Sequence, residues 1–462
     1  MDVVILAAGK GTRMKSPHPK ALVPLLGVSM LDIVLKRVSE LLGSTEKGRI
    51  SVVVGHRKEE IIDSLDNYNS LTGQKVESCV QENALGTADA LKSYFSSTEG
   101  LEKSSHTMVL CCDTPLLDTN DLKSMYELST QEDLDAVVAT FNTEEPKGYG
   151  RILNFSRGLK IVEEKEATNE QKEIKEVNSG LYIFKTEVIN NFLQEINNKN
   201  SSGEFYLTDV FQEGRKVKSL NFGETNNFLG VNDLFQLEAV EKEHVLRNIR
   251  RCQLLGVRFL DSSHTYISEN TIIGESSVIY PNVIMEGNNY IGQGVTIGPN
   301  SHLKNCKVGQ DSQVLTGSIL EDCEVLNSCS IGPFARLRPK SVIGEGSKIG
   351  NFVEIKKSTL HQGVKVSHLS YIGDAEIGDE TNIGCGFITC NYDGAQKHKT
   401  TIGKGCFIGS DSQTVAPVNI GDECFVASGS TVNQDMPDGS FAISRGKQVT
   451  KLGAASRFIK KK

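Results

Sequence analysis

Residues 400–432 read TTIGKGCFIGSDSQTVAPVNIGDECFVASGSTV, and one kind of residue returns at every sixth place: Ile402, Ile408, Thr414, Ile420, Val426 and Val432. Two positions before each stands a small or β-branched residue: Thr400, Cys406, Ser412, Val418, Cys424 and Ser430. An α-helix repeats every 3.6 residues and a strand every second residue, so neither accounts for a period of six. A hexapeptide β-helix does. Each six-residue unit forms one side of a triangular coil. The large residue points inward and its small neighbour fits the tight corner region.

The same period extends back along the chain. Ile267, Ile273, Ile279, Met285, Ile291, Ile297 and Leu303 are six apart, as are Ile331, Leu337, Ile343, Ile349 and Ile355. Cys306, Cys323, Cys329, Cys406 and Cys424 fall at small inward positions, so packing explains them better than chemistry. The pattern is interrupted twice. Between Ile355 and Ile377 the register breaks around Leu360 and KVSHLSY, which carries His368, and residues 390–401 form an insertion. Flat faces and open coil ends favour side-by-side association.

Before this half, residues 233–256 place Leu234, Leu237, Val240, His244, Val245 and Ile249 at helical spacing, with Asp233 as a cap and Gly256 as a stop. This is read as a linker helix. Residues 1–232 have a different organisation. VVILAA (3–8), ISVVVGH (50–56), TMVLCCD (107–113) and DAVVATF (135–141) are short apolar runs alternating with helical segments at 29–42, 59–68 and 121–129. That alternation predicts an α/β domain with a mostly parallel sheet, whose ligands bind beyond the carboxyl ends of the strands.

The first strand runs into LAAGKGTRMKSPHPKAL (6–22). A dinucleotide fingerprint would need glycine where Met14 stands, and a P-loop would need lysine where Thr12 stands. What remains is Gly9 and Gly11, which let backbone N–H groups surround an anion, and Arg13, Lys15 and Lys20, which add charge for phosphate. A βα turn with solvated lysines is the alternative.

Composition narrows the classes. A chain of 462 residues holds two or three domains, and a net charge of −8 argues against a general binder of nucleic acid or membrane surfaces. The 11 cysteines include no C-x-x-C pair, which argues against a zinc ribbon or thioredoxin-type site and suggests a reducing compartment. With no basic, apolar leader and no apolar run long enough for a membrane span, a cytoplasmic protein is expected. The basic tail Arg457 to Lys462 reads as a solvated terminus.

Together these features resemble the bacterial bifunctional enzymes that are N-acetylglucosamine-1-phosphate uridylyltransferases and glucosamine-1-phosphate N-acetyltransferases. The resemblance runs over nearly the whole chain. It rests on LAAGKGTRM (6–14), PKAL (19–22), QENALGTADA (81–90), CDTPL (112–116), GYGRI (148–152), NSGLY (178–182), GEFYLTD (203–209) and GVN (230–232). In the second half it rests on GPFARLRP (332–339), GNFVEIKKS (350–358), HLSYIGDAEIG (368–378), CNYDG (390–394), IGSDSQTVAPV (408–418) and ISRG (443–446). It implies an α/β Rossmann-like nucleotidyltransferase domain over 1–232, the linker helix over 233–256, and a left-handed parallel β-helix of hexapeptide repeats over 257–462, assembled as a homotrimer. Left-handedness is an exception to the usual crossover rule, and only the resemblance supplies it.

For the first half the resemblance implies uridylyl transfer from UTP to N-acetylglucosamine-1-phosphate with release of pyrophosphate. Leu6, Ala7, Ala8 and Gly9 would contact the nucleotide, Arg13 and Lys20 the phosphates, and Gln81, Gly86 and Thr87 the uracil. Gly150, Glu163, Asn178, Tyr206 and Thr208 would surround the sugar, although Glu163 also fits a solvated charged run. Asp113 and Asn232 would hold Mg²⁺, which takes few protein oxygens and keeps waters. Asp113 could instead simply open the D-T-P-L turn. Cys112 and Asp89 depart from the family's glycine and histidine, which bears on nucleotide preference.

For the second half it implies acetyl transfer from acetyl-CoA to glucosamine-1-phosphate. His368 would be the general base that frees the amine, a task suited to neutral imidazole. Arg338 and Lys356 would clamp the phosphate, with Tyr371 and Asn382 on the sugar. Cys385, Asn391, Tyr392, Ser410, Ser428 and Arg445 would meet acetyl-CoA. Cys385 and Ser428 stand where alanine is common; both are small, and direct transfer without an acyl-cysteine is expected. Two rivals exist: a nucleotidyltransferase whose β-helix only regulates, as in ADP-glucose pyrophosphorylases, and a noncatalytic exchange-factor scaffold. The first leaves His368, Arg338, Lys356 and the 390–401 insertion unexplained; Lys20, Asp113 and Asn232 weigh against the second.

Overall fold

The computed structural model describes residues 1–43 and 48–458. The end of the basic tail, past Phe458, lies outside the described residues. The chain divides into two compact units, Met1–His244 and Val245 onward.

In the first unit the apolar runs become strands of one sheet, in the order Val217–Glu224, Ala136–Asn142, Glu176–Lys185, His106–Cys111, Asp2–Ala7, Ile50–Val54, Val76–Val80. All neighbours are parallel except Glu176–Lys185, which runs antiparallel to both flanking strands. The hairpin Arg151–Asn154 and Leu159–Val162 adds to the start of that strand. Side chains alternate faces as strand geometry requires. Val3, Ile5 and Ala7 join a core with helices Met30–Gly43, Lys58–Thr72 and Thr119–Gln131, while Val4 and Ala8 join one with helices Thr87–Ser97 and Thr186–Glu195. Because both faces are covered, the central strands Asp2–Ala7, Ile50–Val54 and His106–Cys111 are almost wholly buried and mostly apolar.

The strands stop a little earlier than the apolar runs suggest. The sheet ends at Cys111, and Asp113 stands two residues beyond it, in a turn where Thr114 Oγ1 donates to the Cys111 carbonyl at 3.0 Å. The 234–254 helix forms as expected, with Asp233 Oδ1 accepting from the N–H groups of Phe235 and Gln236 at 3.0 and 2.9 Å. The division between units falls inside it.

The second unit is a left-handed parallel β-helix. Its strands, two to four residues long, stack into three parallel sheets of 11, 10 and 9 strands, one per side of the coil. The inward residues are sealed: Ile267, Ile279, Ile297, Leu337, Ile349 and Ile355 are at 0% exposure. Full burial of such a side chain stabilises by roughly 1.5–3 kcal/mol. Thr400, Cys406, Ser412, Cys424 and Ser430 are buried beside them, as the small-residue reading requires.

One expectation is corrected. The register does not break at His368. Inward positions continue through Leu360, Val366, Ile372, Ile377 and Ile383, all at 2% exposure or less. The step shortens to five residues at 303→308, 320→325, 355→360 and 372→377, always at the corner leaving the ten-stranded sheet. The 390–401 insertion enters at the same corner, after Cys390. A loop outside the prism absorbs length changes without disturbing the stacked sides, so the hexads resume in phase.

All eleven cysteines are free. Among the described residues no helix is long and apolar enough to cross a membrane.

Candidate active sites

In the first unit a cavity of about 300 Å³ opens at the carboxyl ends of the central strands. Leu6, Ala7, Ala8, Gly9, Lys20, Gln81, Gly86, Thr87 and Asp113 line it, together with Cys111, Cys112 and Glu204. The glycine loop shapes this wall. Gly11 has φ +58°, and a Cβ there would stand 2.8 Å from Lys20 Cβ, so glycine leaves room for the lysine stem. Gly86 (φ +119°) lets the 203–209 segment close in, since a Cβ would meet the Phe205 carbonyl oxygen at 2.5 Å. Phe205 N–H donates to the Leu85 carbonyl at 2.8 Å, and Leu207 N–H to Thr87 Oγ1 at 3.2 Å.

Lys20 reaches across the cavity floor. Its Nζ pairs with Asp113 Oδ2 and donates to Asn232 Oδ1 at 3.0 Å. Asn232 is fixed by its own N–H, which donates to Gln236 Oε1 at 2.7 Å, and Val231 N–H donates to the Asp113 carbonyl at 2.9 Å. The ammonium is a stand-in ion: it marks one point that both oxygens reach. One carboxylate and one amide oxygen converging on a cationic point suit Mg²⁺, which binds few protein oxygens. No cluster of three or more His, Cys, Asp or Glu suited to a metal occurs among the described residues.

The predicted sugar residues gather from three segments. Thr208 Oγ1 donates to Glu163 Oε1 at 2.8 Å, and Asn178 Nδ2 donates to Tyr182 Oη at 2.7 Å. Asn178 N–H donates to the Gly150 carbonyl at 2.9 Å, and a Cβ on Gly150 would crowd Ile161 at 3.0 Å. Glu163 is therefore not part of a solvated run. Burial pushes its carboxyl above the usual range, opposed by the Thr208 hydrogen bond. Tyr206 caps the short turn Leu207–Val210 that carries Thr208. Arg13 differs: it is exposed on the one-turn helix Thr12–Met14 and does not line the cavity.

In the second unit the predicted sugar-phosphate residues occupy equivalent places on successive coils. Arg338 and Lys356 each follow an inward residue, and Arg338 N–H donates to the Ile355 carbonyl at 2.9 Å. Arg338 Nη1 donates to Glu354 Oε1 at 2.8 Å. The Lys397 ammonium lies against Lys356 and, with Arg338, holds the Lys356 amine below its usual range. One coil further the same place is Gly373. A Cβ there would stand 2.4 Å from Tyr371 Oη and 2.9 Å from Asn391 Nδ2, so the missing side chain leaves room for both groups to approach the Gly373 backbone. Asn391 Nδ2 donates to Asp374 Oδ2 at 2.6 Å, and Lys357 pairs with Asp374 at 3.4 Å.

His368 ends the strand Lys365–His368, opposite Asn351, and its ring is exposed. Its Nδ1 lies 2.6 Å from Asn351 Oδ1. With an amide oxygen as partner, Nδ1 carries the proton and Nε2 keeps a lone pair. Cys385, Ser410 and Ser428 stack at one corner, where Asp411 N–H donates to the Cys385 carbonyl at 2.7 Å, Gly429 N–H to the Ser410 carbonyl at 2.8 Å, and Arg445 Nη1 to the Ser428 carbonyl at 2.8 Å. Asn382 lies outward on the strand leading into this corner. Tyr392 lies in the insertion, its hydroxyl donating to the Gly394 carbonyl at 2.6 Å.

Sequence reasoning passed over Asn351, Gly373 and Lys397. Asn351 and Lys397 sit inside quoted motifs or the insertion, but their pairing across coils becomes visible only once the five-residue steps are known.

The first unit matches the family model described as MobA-like NTP transferase domain over residues 3–179. In the second, residues 322–357 match the model described as bacterial transferase hexapeptide (six repeats), and residues 399–434 the hexapeptide repeat of succinyl-transferase. Over 465 aligned residues the chain is 40% identical to the bifunctional protein GlmU of Geobacillus sp. (strain WCH70), covering 99% of this chain and 98% of that protein. It is 41% identical to GlmU of Halalkalibacterium halodurans, with 97% of each chain covered. GlmU of Streptococcus agalactiae serotype V is 39% identical, covering 98% of this chain and 97% of that protein.

Proposed function

The chain belongs to the family of bifunctional GlmU proteins and makes UDP-N-acetylglucosamine by acetyl transfer followed by uridylyl transfer; from that premise we propose how its own residues divide the work. The domains are 1–232 for uridylyl transfer and 257–462 for acetyl transfer, joined by residues 233–256.

In the second unit Arg338, Lys356 and Lys397 bind the phosphate of glucosamine-1-phosphate, with Tyr371 and Asn382 on the sugar. His368 Nε2 takes a proton from the sugar ammonium, and Asn351 holds the ring in that tautomer. The freed amine attacks the thioester carbonyl of acetyl-CoA directly, and CoA leaves as the thiol. Cys385, Asn391, Tyr392, Ser410, Ser428 and Arg445 hold the acyl donor. Arg338 and Lys356 stand where strands of the ten-stranded sheet end, and Cys385, Ser410 and Ser428 where strands of the eleven-stranded sheet end. These are different corners of the coil, which supports a homotrimer in which neighbouring prisms complete the site.

In the first unit a phosphate oxygen of N-acetylglucosamine-1-phosphate attacks the α-phosphorus of UTP, and pyrophosphate leaves. The Leu6–Gly9 backbone and Lys20 bind the phosphates from the cavity wall, and Arg13 adds charge from the exposed turn Thr12–Met14 outside that wall. Gln81, Gly86 and Thr87 meet the uracil, while Gly150, Glu163, Asn178, Tyr206 and Thr208 orient the sugar. Asp113 and Asn232 would hold Mg²⁺, which when bound supplies charge neutralisation for the phosphates. With Mg²⁺ on these oxygens, the Lys20 ammonium that now pairs with them would be free to bind phosphate. The observation that carries this reading is the convergence of Asp113 and Asn232 on that ammonium. We place the enzyme in the cytoplasm, which the eleven free thiols support.

The purified chain should release CoA from acetyl-CoA with glucosamine-1-phosphate, and pyrophosphate from UTP with N-acetylglucosamine-1-phosphate. Lys20→Ala should lower the second rate by about 10²–10³-fold, the range for losing one electrostatic contact to developing charge, and leave the first unchanged. A parent chain without acetyl transfer would favour a β-helix that only regulates.

A further inference from the structure

Gln81 is 6% exposed and lines the nucleotide cavity, so its amide has few partners to choose from. Its Nε2 donates to Asp89 Oδ2 at 2.7 Å and to the Gly86 carbonyl at 3.3 Å. Both partners are acceptors. An ionised carboxylate and a backbone carbonyl cannot donate to the amide oxygen, so the amide has one favourable orientation. Gln81 Oε1 is then left as the face turned away from Asp89, and no hydrogen bond among the described residues engages it. Asp89 stands in the first turn of helix Thr87–Ser97, where the helix N-terminus favours its negative charge.

We propose that Asp89 is a positioning residue for nucleotide choice: by holding Gln81 Nε2 it presents Gln81 Oε1 to the base as a fixed acceptor, which selects a pyrimidine with an N3–H over one with a bare N3. Uracil carries a proton at N3 and donates to Oε1. Cytosine carries a lone pair there, which faces the same oxygen and is repelled. A rotatable amide would serve either base, because it could turn its NH₂ toward cytosine. The discrimination thus resides in the carboxylate behind the glutamine rather than in the glutamine itself. This inference rests on the reading that Gln81 meets the base.

The test measures kcat/KM for UTP and for CTP, with acetyl transfer assayed on the same preparations. Asp89→Ala should lower the UTP-to-CTP ratio roughly tenfold, the worth of about one hydrogen bond of this kind. Adding Gln81→Glu in that background should restore the ratio, because a carboxylate presents an acceptor whichever way it turns. Acetyl transfer should stay unchanged throughout. Asp89→Ser, too short to reach Gln81, serves as a second variant should the alanine variant fail to fold. An unchanged ratio in the Asp89 variants, with a ratio that collapses in Gln81→Ala, would overturn the positioning role and leave Gln81's role intact. An unchanged ratio in Gln81→Ala as well would overturn both.

Discussion

At the scale of single residues, much of the chemistry depends on pairs whose second member is inconspicuous in sequence. His368 stands out in HLSY, but the group that fixes its tautomer is Asn351, seventeen residues earlier and one coil away. His368→Ala should lower acetyl transfer by about 10²–10⁴-fold, the usual worth of a general base. Asn351→Ala should lower it less and leave KM for glucosamine-1-phosphate nearly unchanged; rapid-quench measurement of CoA release checks both. Cys385→Ala should retain acetyl transfer within about twofold, because no acyl-enzyme is formed; trapping an acetyl thioester on Cys385 would contradict this. Glu163 offers a pH test. Its carboxyl is raised by burial, so the fold prefers the neutral acid, and the stability it contributes is lost as pH rises through its folded value. Glu163→Gln mimics the neutral form. The variant should gain thermal stability over the parent toward neutral pH and lose that advantage in acid, as melting curves across pH would record. Sequence alone left Glu163 open to a solvated reading, since its partner Thr208 comes from a distant segment.

At the scale of elements, the β-helix was legible because six residues per side is a geometric constraint that every coil must satisfy. Its irregularities were not. The five-residue steps mimic a broken register on paper, yet they recur at one corner and leave the stacked strands in phase. One coil also exchanges the usual roles of large and small. Thr389 occupies the inward place, its Oγ1 donating to the Gly373 carbonyl at 3.0 Å and accepting from Gly373 N–H at 2.8 Å. Phe387, two residues earlier and at 0% exposure, fills the space instead. This exchange anchors Gly373, which both Tyr371 Oη and Asn391 Nδ2 approach. Gly373→Ala should push both groups aside, abolish most acetyl transfer and cost about 1–3 kcal/mol, as overpacking of this kind does. Chemical denaturation followed in the acetyltransferase unit, with CoA release in parallel, measures both effects. Phe387→Ala should cost more, about 3–5 kcal/mol, through the cavity it leaves.

At the scale of the whole molecule, two periodicities divide the chain, and each compact unit carries its own proposed phosphate-binding cations: Lys20 in the first, and Arg338, Lys356 and Lys397 in the second. The α/β half was legible as a class from its alternating apolar runs. Its cavity was legible from the opening loop and, through resemblance alone, from Gln81, Asp113 and Asn232, while Glu204 went unnamed inside a quoted motif because nothing about a lone glutamate marks it as lining a cavity. The central claim is that the two reactions are independent. Parallel assays of CoA release and pyrophosphate release on Asp113→Ala and His368→Ala test it most directly. The account predicts that Asp113→Ala loses pyrophosphate release and keeps CoA release, and that His368→Ala does the reverse. Loss of both activities in either folded variant, or survival of acetyl transfer in His368→Ala, would contradict it.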